Sequence, residues 1–459
     1  MTIIQFWSFS HSSVANSSLK RNSCHRLGFY KNKRKTSAAT AYILVMSFFA
    51  KSLFKNPIRF CKIEEERSGE NMRKTRVLLF SEGFGTGHTQ AAYALAEGLK
   101  RKNPHIQCRV IELGNFLNPT VGPLILSAYR KTVSVRPRLV GMLYRSQYKK
   151  SLNKLTRLAL HRIFYAQASQ VIQQLKPDLI ICTHPFPNAV VSRLKRQGLH
   201  VPLYTLITDY DAHGTWVNPE VDEYLVSTPQ VKKLLMRRSI LSQYIHVTGI
   251  PVHPKFWDPE PPEALRTELG FKNMPTILIM GGGWGLMFNK ELLSKLASRA
   301  DDIQLIFCMG QNEKLVAEMK HNPLFRHPHI HVLGYRKDIH KLMGASDLLI
   351  TKPGGMTCTE GAAKGIPMLF YEPIPGQEEE NCHFFVSEGL GEVLDQPAVL
   401  DKWLQLLSCR YEDVLQYRRR MMDGVSPHLM PDHCVNQVLS MLNRETVAIP
   451  HGVQVLVDQ

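Results

Sequence analysis

Two stretches of the chain share one plan, in which a short apolar run leads at once into a glycine-rich turn and then a helical pattern. The first run, 76–81, is followed by the loop 83–88, and the second, 276–280, by the loop 281–285, which has four glycines in five residues. Apolar runs this short fit buried strands, and strands that alternate with helical segments indicate parallel βαβ units. The pattern predicts an α/β protein of two Rossmann-like domains in tandem, with an interdomain cleft at the carboxyl ends of their strands.

The stretch 348–360 contains the most specific local signal. The apolar run 348–350 suits a strand, and the turn 352–355 (Lys-Pro-Gly-Gly) must leave the extended conformation. Thr357 or Thr359 is expected to cap the following helix. A strand, a glycine turn and a helix N-terminus together favour an anion. Glu360, one turn into that helix, is suited to accept the hydroxyls of a ribose.

After the next apolar run, Gln377 and Glu378 are expected in a loop, where their side chains suit sugar hydroxyls. Phosphate, ribose and sugar positions within one stretch indicate a nucleotide-sugar site. The plainer alternative is an ordinary αβ loop, with an acid early in the helix that only complements the dipole.

His88 ends the first glycine loop, where a dinucleotide fingerprint would have its third glycine. Glu112 could supply the acid that such a fingerprint requires, so a dehydrogenase remains a weak alternative. A histidine at the mouth of a loop titrates near neutrality and can act as a general base, or it can simply cap the helix.

The segment 208–216 carries a second group of polar side chains. Asp209 and Asp211 match a three-residue metal-binding pattern of another transferase architecture, but the two-domain layout argues against that interpretation. We interpret Asp209, His213 and Trp216 as residues on the acceptor side of the cleft.

Charge and cysteine content narrow the partners and the compartment. The formal net charge is +18, from 57 basic and 39 acidic residues, which favours polyanionic partners. The nine cysteines show no metal-type spacing, so we expect a reducing compartment, no disulfide framework and no structural zinc.

The insertion 117–165 mixes apolar groups with many cations and almost no acids, which is typical of a surface that lies on anionic lipid. An ordinary amphipathic helix pair would have a similar pattern, and the chain lacks the signatures of nucleic-acid binding. The expected membrane-binding residues are Arg130, Lys131, Arg136, Arg138, Arg145, Lys149 and Lys150.

The expected domains follow from changes in composition. A basic extension, poorly ordered, covers 1–71, and its thirteen-residue apolar run is too short for a membrane span. That run also fits a signal peptide, but export would separate the chain from cytosolic nucleotide sugars. The first Rossmann-like domain covers 72–250, the second covers 257–430, and a C-terminal helix and tail covers 431–459. The helical stretch 434–443 is expected to cross back to the first domain.

Together these motifs resemble one family, the monogalactosyldiacylglycerol synthases and processive diacylglycerol glucosyltransferases of glycosyltransferase family 28. The matching pieces lie between about residues 75 and 395, and they are Gly85–His88, Thr208–Trp216, Gly281–Gly283, Thr351–Gly355 with Glu360, and Pro375–Asn381. Residues 1–71 have no part in the resemblance.

The resemblance implies a GT-B fold and an inverting reaction that needs no metal and no cofactor. It implies that His88 lies near the acceptor as a candidate base. We predict His88 and Asp209 as the catalytic residues, and Gly87, His213 and Trp216 as residues that face the acceptor. The implied donor-binding residues are Gly282, Gly283, Tyr335, Arg336, Gly354, Gly355, Thr357, Glu360, Gln377, Glu378 and Asn381.

The expected function is transfer of a hexose, with glucose preferred, from a UDP-sugar to diacylglycerol by a cytoplasmic protein at the inner face of the membrane. The expected partners are the UDP-sugar, diacylglycerol and an anionic membrane surface, with no nucleic acid. The alternatives are a transferase to another lipid-linked acceptor, a same-fold epimerase, and a non-catalytic UDP-sugar sensor.

Overall fold

The structure is a computed structural model that describes residues 74–83, 86–114, 168–282 and 288–447. Among these residues, no helix combines the length and the apolar character needed to cross a membrane. We call the part up to residue 250 the first half and the part from residue 257 the second half.

The first half contains a six-stranded sheet in which every neighbouring pair is parallel, in the order β2-β1-β3-β4-β5-β6. Its strands are β1 (Thr75–Ser81), β2 (Ile106–Glu112), β3 (Leu179–Cys182), β4 (Leu203–Leu206), β5 (Glu223–Val226) and β6 (Ile245–Val247).

The second half repeats this design, with the order β12-β11-β10-β7-β8-β9 and again only parallel pairs. Its strands are β7 (Thr276–Met280), β8 (Gln304–Cys308), β9 (Ile330–Leu333), β10 (Leu348–Thr351), β11 (Met368–Phe370) and β12 (Gly391–Val393). The expected pair of Rossmann-like sheets is confirmed.

Helices connect the strands and cover both faces of each sheet. In the first half they are α1 (Thr86–Lys102), α2 (described over 168–175), α3 (Pro185–Arg196) and α4 (Pro229–Met236). In the second half they are α5 (Pro262–Glu268), α6 (Lys290–Ala297), α7 (Glu313–His321), α8 (Ile339–Gly344), α9 (Gly355–Ala363), α10 (Gln377–Ser387), α11 (Pro397–Cys409) and α12 (Tyr411–Asp423), followed by α13 (His433–Val447).

Each sheet separates two apolar clusters, because successive residues of a strand point to opposite faces. In β1, Leu79 packs in one cluster and Leu78 in the other. In β7, Leu278 and Ile279 are divided in the same way. Burial on both faces explains why the strands read as continuous apolar runs in the sequence.

The last helix returns to the first half, as expected for 434–443. Val435 and Val438 of α13 are fully buried in the same cluster as Leu95 of α1. An ion pair of 2.8 Å joins Lys102 Nζ to Asp432 just before the helix. The core of the first half is therefore completed by the end of the described chain.

The order of the strands fixes where a ligand can bind. The strand order changes direction between β1 and β3 in the first sheet and between β7 and β10 in the second, because later strands are added on the opposite side of β1 and β7. The loops after these four strands begin at residues 82, 183, 281 and 352, and ligands of doubly wound sheets bind outside such switch points.

Candidate functional site

Two histidines meet at the switch point of the first half. His88 lies in the first turn of α1, and His184 caps α3 by accepting a hydrogen bond on Nδ1 from the amide of Phe186 at 3.2 Å. Their ring centroids are 4.8 Å apart in an edge-to-face arrangement. The sequence analysis did not single out His184, although it directly follows a buried strand and precedes Pro185.

A third histidine and a tryptophan complete this group, which we call the histidine cluster (His88, His184, His213 and Trp216). The Trp216 ring lies 6.1 Å from that of His88 and 6.0 Å from that of His213, centroid to centroid. Trp216 is fully buried, so it supports the two histidines from within the core of the first half instead of being exposed to a ligand.

Burial keeps the histidine cluster uncharged. It lowers the pKa of both His88 and His213 to about 4, and it lowers the pKa of His184 well below its ordinary value. The mutual repulsion of the protonated forms adds to the effect on His184 and His213. At physiological pH these imidazoles are therefore unprotonated, as a general base must be, while the lowered pKa makes each of them a weaker base than a free histidine.

The orientation of His88 is set by two threonines at strand ends. Thr208 Oγ1 lies 2.5 Å from His88 Nδ1, and Thr183 Oγ1 donates to the His88 carbonyl at 3.0 Å. The sequence analysis assigned no role to either contact, because each joins residues about a hundred positions apart.

Asp209 follows Thr208 and reaches toward the second half. Its carboxylate is buried and accepts a hydrogen bond from the side-chain amide of Gln377. Burial raises the pKa of Asp209 to about 7, and the charge of Asp211 acts in the same direction, whereas the Gln377 hydrogen bond opposes it. Asp209 therefore links the first half to a residue expected to face the donor sugar.

Helix α9 begins at the expected glycine turn, but its cap differs from the expectation. The N-cap is Gly354, so Thr357 and Thr359 lie inside the helix, and the prediction that either caps it is wrong. Thr359 Oγ1 instead donates to the carbonyl of Gly355 at 2.7 Å. A Cβ atom added to Gly354 would meet no described atom within 4 Å, so open space lies in front of the helix N-terminus.

The carboxylate of Glu360 has no hydrogen-bond partner among the residues that the structure describes. Glu360 is half-buried and lies three positions after Thr357, on the same face of α9. Burial alone raises its pKa to about 8. A partly desolvated carboxylate without a partner is a strong acceptor for the hydroxyls of a ligand.

Gln377 and Glu378 open helix α10, so the expectation that they lie in a loop is wrong. The helix starts there because Gly376 adopts φ +107°, which other residues rarely adopt. Glu378 Oε2 accepts a hydrogen bond of 2.8 Å from the Ile374 amide, and burial raises the pKa of this carboxyl group.

Asn381 is fully buried, and both ends of its side-chain amide bind backbone groups. Its oxygen accepts from the Tyr210 amide at 3.1 Å, and its nitrogen donates to the Pro353 carbonyl at 3.1 Å. In this arrangement Asn381 fastens the turn before α9 to the first half, and its amide is not available to a donor sugar.

The two halves touch where α1 and α9 begin. A Cβ atom on Gly355 would lie 2.8 Å from the Thr208 carbonyl, and one on Gly87 would lie 3.5 Å from Met356 Cγ. We call this contact the junction. Glycine at 355 lets the N-terminus of α9 approach the loop that carries Asp209.

The remaining expected residues fall into two groups. Gly282 has φ +70°, and a Cβ atom added to it would meet no described atom within 4 Å. Tyr335 is 57% exposed. Arg336 Nε donates to the carboxylate of Asp338 at 2.8 Å. Other expected residues lie outside the described residues, and they are Gly283, Arg130, Lys131, Arg136, Arg138, Arg145, Lys149 and Lys150.

Two family models match the chain. Residues 88–252 match the model described as "Monogalactosyldiacylglycerol (MGDG) synthase", and residues 276–413 match "Glycosyltransferase family 28 C-terminal domain". The two matches correspond to the two Rossmann-like halves.

Curated relatives cover most of the chain. A processive diacylglycerol beta-glucosyltransferase of Bacillus subtilis (strain 168) is 31% identical over 324 residues, which are 70% of this chain and 84% of that protein. One of Bacillus cereus (strain B4264) is 29% identical over 384 residues, covering 83% of this chain and 97% of that protein.

Solved structures share the fold at low identity. MurG of Acinetobacter baumannii has a TM-score of 0.53 at 17% identity, over 81% of this chain and 99% of that one. Anabaena HepE, solved in complex with UDP-glucose, has a TM-score of 0.51 at 14% identity, over 80% of this chain and 99% of that one. These structures share with this chain the arrangement of two Rossmann-like domains, so they support the fold alone.

Proposed function

The chain belongs to the family of the processive diacylglycerol glucosyltransferases and monogalactosyldiacylglycerol synthases, and we propose that it transfers glucose from UDP-glucose to diacylglycerol. The product is a membrane glycolipid. The reaction inverts the configuration of the sugar, because the acceptor hydroxyl attacks from the face opposite the departing UDP.

The observation that carries this proposal is the carboxylate of Glu360, which has no hydrogen-bond partner among the described residues and lies on α9, near its open N-terminus. A nucleoside diphosphate supplies what both features require, since ribose hydroxyls donate to the carboxylate and the phosphates accept from free backbone N–H groups. In this arrangement, Gly354, Gly355 and Thr357 surround the diphosphate together with Gly282, and Gly283, which lies outside the described residues, is proposed to bind it as well. Tyr335 and Arg336 border the uracil.

The leaving group is stabilised by fixed dipoles. As the bond to the sugar breaks, negative charge grows on the β-phosphate, and the N-terminal dipole of α9 favours that charge without reorganisation. Gln377 and Glu378, in the first turn of α10, lie where hydroxyls of the glucose ring can be bound.

The first half supplies the groups that act on the acceptor and on the reacting carbon. His88, neutral and oriented by Thr208, accepts the proton of the diacylglycerol hydroxyl. Asp209, held against Gln377, places negative charge beside the sugar carbon as that carbon becomes positive. Gly87 and His213 border the path of the acceptor.

The acceptor is insoluble in water, so the protein must work at a lipid surface. We propose that the basic insertion 117–165 binds anionic lipid at the inner face of the membrane, where cytosolic UDP-glucose is available. The surplus of +18 charges supports attraction to such a surface.

The test is product analysis with the full chain, anionic vesicles that contain diacylglycerol, and radiolabelled UDP-glucose or UDP-galactose, with EDTA present. A labelled glycolipid from UDP-glucose is expected, and its chain length reports the number of sugars added. Vesicles without diacylglycerol are the control. Binding of UDP with no labelled lipid from either donor would overturn the diacylglycerol assignment.

A further inference from the structure

Tyr210 belongs to the first half by sequence but to the second half by packing. Its ring stacks on Phe384 of α10 with centroids 4.4 Å apart, and it meets Phe385 edge-on at 4.7 Å. It is 6% exposed and lies in the apolar cluster that covers one face of the second sheet. A side chain of the first half thus helps to form the core of the second.

Polar contacts fix the same residue at both ends. The Tyr210 amide donates to Asn381 at 3.1 Å, and the Tyr210 hydroxyl lies 2.7 Å from Thr359 Oγ1 in α9. Tyr210 therefore binds both α9 and α10, the two helices whose N-termini form the proposed donor site.

This attachment determines where the preceding residue lies. The Asp209 carbonyl accepts from Ser227 Oγ at 2.7 Å within the first half, while its side chain meets Gln377 of the second half. Asp209 is thus held between a first-half contact on one side and Tyr210 on the other. Because Tyr210 is adjacent in sequence, a shift of its ring would move the Asp209 carboxylate relative to Gln377.

We infer that Tyr210 is a positioning residue, which anchors the 208–216 segment to the donor half so that Asp209 of the first half is presented at the donor sugar. The inference rests on the proposed role of Asp209. It makes the donor-sugar site a composite of both halves, whereas the UDP site belongs to the second half alone.

The test is a double-mutant cycle between Tyr210→Ala and Asp209→Asn, measured as kcat and as KM for UDP-glucose, with UDP affinity measured by titration. Tyr210→Ala is expected to lower kcat roughly 10–100-fold with UDP affinity changed less than about 3-fold, since the loss is one of alignment. In the Asp209→Asn background the same substitution should lower kcat by no more than about 3-fold, because the group it positions is gone.

Tyr210→Phe separates the ring from the hydroxyl and guards against misfolding of the alanine variant. It keeps the stacking and loses only the Thr359 contact, so it should retain most of the activity. Tyr417→Ala and Tyr417→Phe are matched controls, because the Tyr417 hydroxyl donates to the Gly389 carbonyl at 2.8 Å, a contact made within the second half and not with the first. Each control substitution should change kcat by the same factor in the wild-type protein and in the Asp209→Asn variant.

Equal fold losses for Tyr210→Ala in the two backgrounds would overturn the inference, and so would an unchanged kcat. Amide hydrogen exchange tests, without any measurement of activity, whether Tyr210 anchors the 208–216 segment. The amides of 207–216 should exchange faster in Tyr210→Ala than in wild type, while those of 223–227 in the same half stay unchanged; equal protection of 207–216 would also overturn the inference. Wild-type protein that makes no glycolipid would refute the proposed function, and the exchange result would still report on the anchor.

Discussion

The two halves have the same sheet topology but present different chemistry at their switch points. The first half brings together bulky side chains: His88 and His213 lie beside the buried Trp216, His184 lies against His88, and burial keeps all three histidines neutral. The second half presents glycine turns, a helix N-terminus and the carboxylate of Glu360. Under the proposed function, one architecture serves as a proton acceptor site in the first half and as an anion and sugar site in the second, according to the loops it carries.

The largest effect is expected from replacing His88 by alanine, which tests whether the first half acts on the acceptor while the second half binds the donor. We expect kcat to fall roughly 10²–10⁴-fold, because a positioned base contributes about that much. UDP affinity should stay within a factor of about 2, since no donor group is changed. The measurement is steady-state transfer together with UDP titration. A large loss of UDP affinity would contradict the assignment of acceptor chemistry to the first half and donor binding to the second.

Replacing Gly355 by alanine tests whether the halves act only when in close contact. The new Cβ would lie 2.8 Å from the Thr208 carbonyl, so the junction must open. We expect kcat/KM to fall roughly 10²-fold, as misplacement by about 1 Å can cost that much. Gly424→Ala is the matched control, because its Cβ meets only the Arg420 carbonyl, at 3.4 Å. Equal activity of the two variants would contradict the role of the junction.

Replacing Glu360 by glutamine tests whether its carboxylate binds the ribose of UDP. A charged acceptor binds a hydroxyl more strongly than a neutral one, so UDP affinity measured at pH 9, above the pKa of about 8 of Glu360, should fall roughly 10-fold. The 2′-deoxy analogue of UDP should bind wild type more weakly than UDP does and should lose less affinity in the variant. Titration calorimetry with both ligands checks this, and equal losses for the two would place the ribose elsewhere.

The halves should also differ in their response to pH between 7 and 9. In the first half, His88 and His213, with pKa values of about 4, do not titrate in this range, and Asp209, with a pKa of about 7, titrates at its lower edge. In the second half Glu360, with a pKa of about 8, titrates in the middle of the range. Because the ionised form binds ribose better, UDP affinity should rise by a few-fold as the pH rises through about 8. The rise should be absent in Glu360→Gln, and a rise of equal size there would assign it to another group.

The smallest effect on activity is expected from Val435→Ala. Val435 lies in α13, near the end of the described chain, and packs into the core of the first half. Val435 is fully buried, and its loss should cost roughly 2 kcal/mol of unfolding free energy. Denaturant unfolding measures this, with Val386→Ala as control because Val386 is 38% exposed. UDP affinity should not change, so an effect on binding would show that the two halves are coupled through α13.

Sequence patterns predicted those parts of the fold and site that depend on neighbouring residues. The strands, the glycine turn before α9 and the placement of Glu360 follow from local composition and periodicity. The helical positions of Gln377 and Glu378 were missed because only the positive φ of Gly376 reveals where α10 begins.

Contacts between distant residues had no local signal. The pairing of His88 with Thr208 and the stacking of Tyr210 on Phe384 join positions more than a hundred residues apart. The buried state of Trp216 likewise depends on a core assembled from several strands and helices. Patterns along one sequence therefore placed candidate residues near the junction without showing which of them touch.

The return of α13 to the first half has a consequence for biosynthesis. A nascent chain emerges from the ribosome with the first half in front, yet Val435 and Val438, which cover part of its core, come last. Until then the face of α1 around Leu95 remains uncovered and open to chaperones or to wrong partners. Translation of the second half thus sets the earliest moment at which the first half can reach its native state.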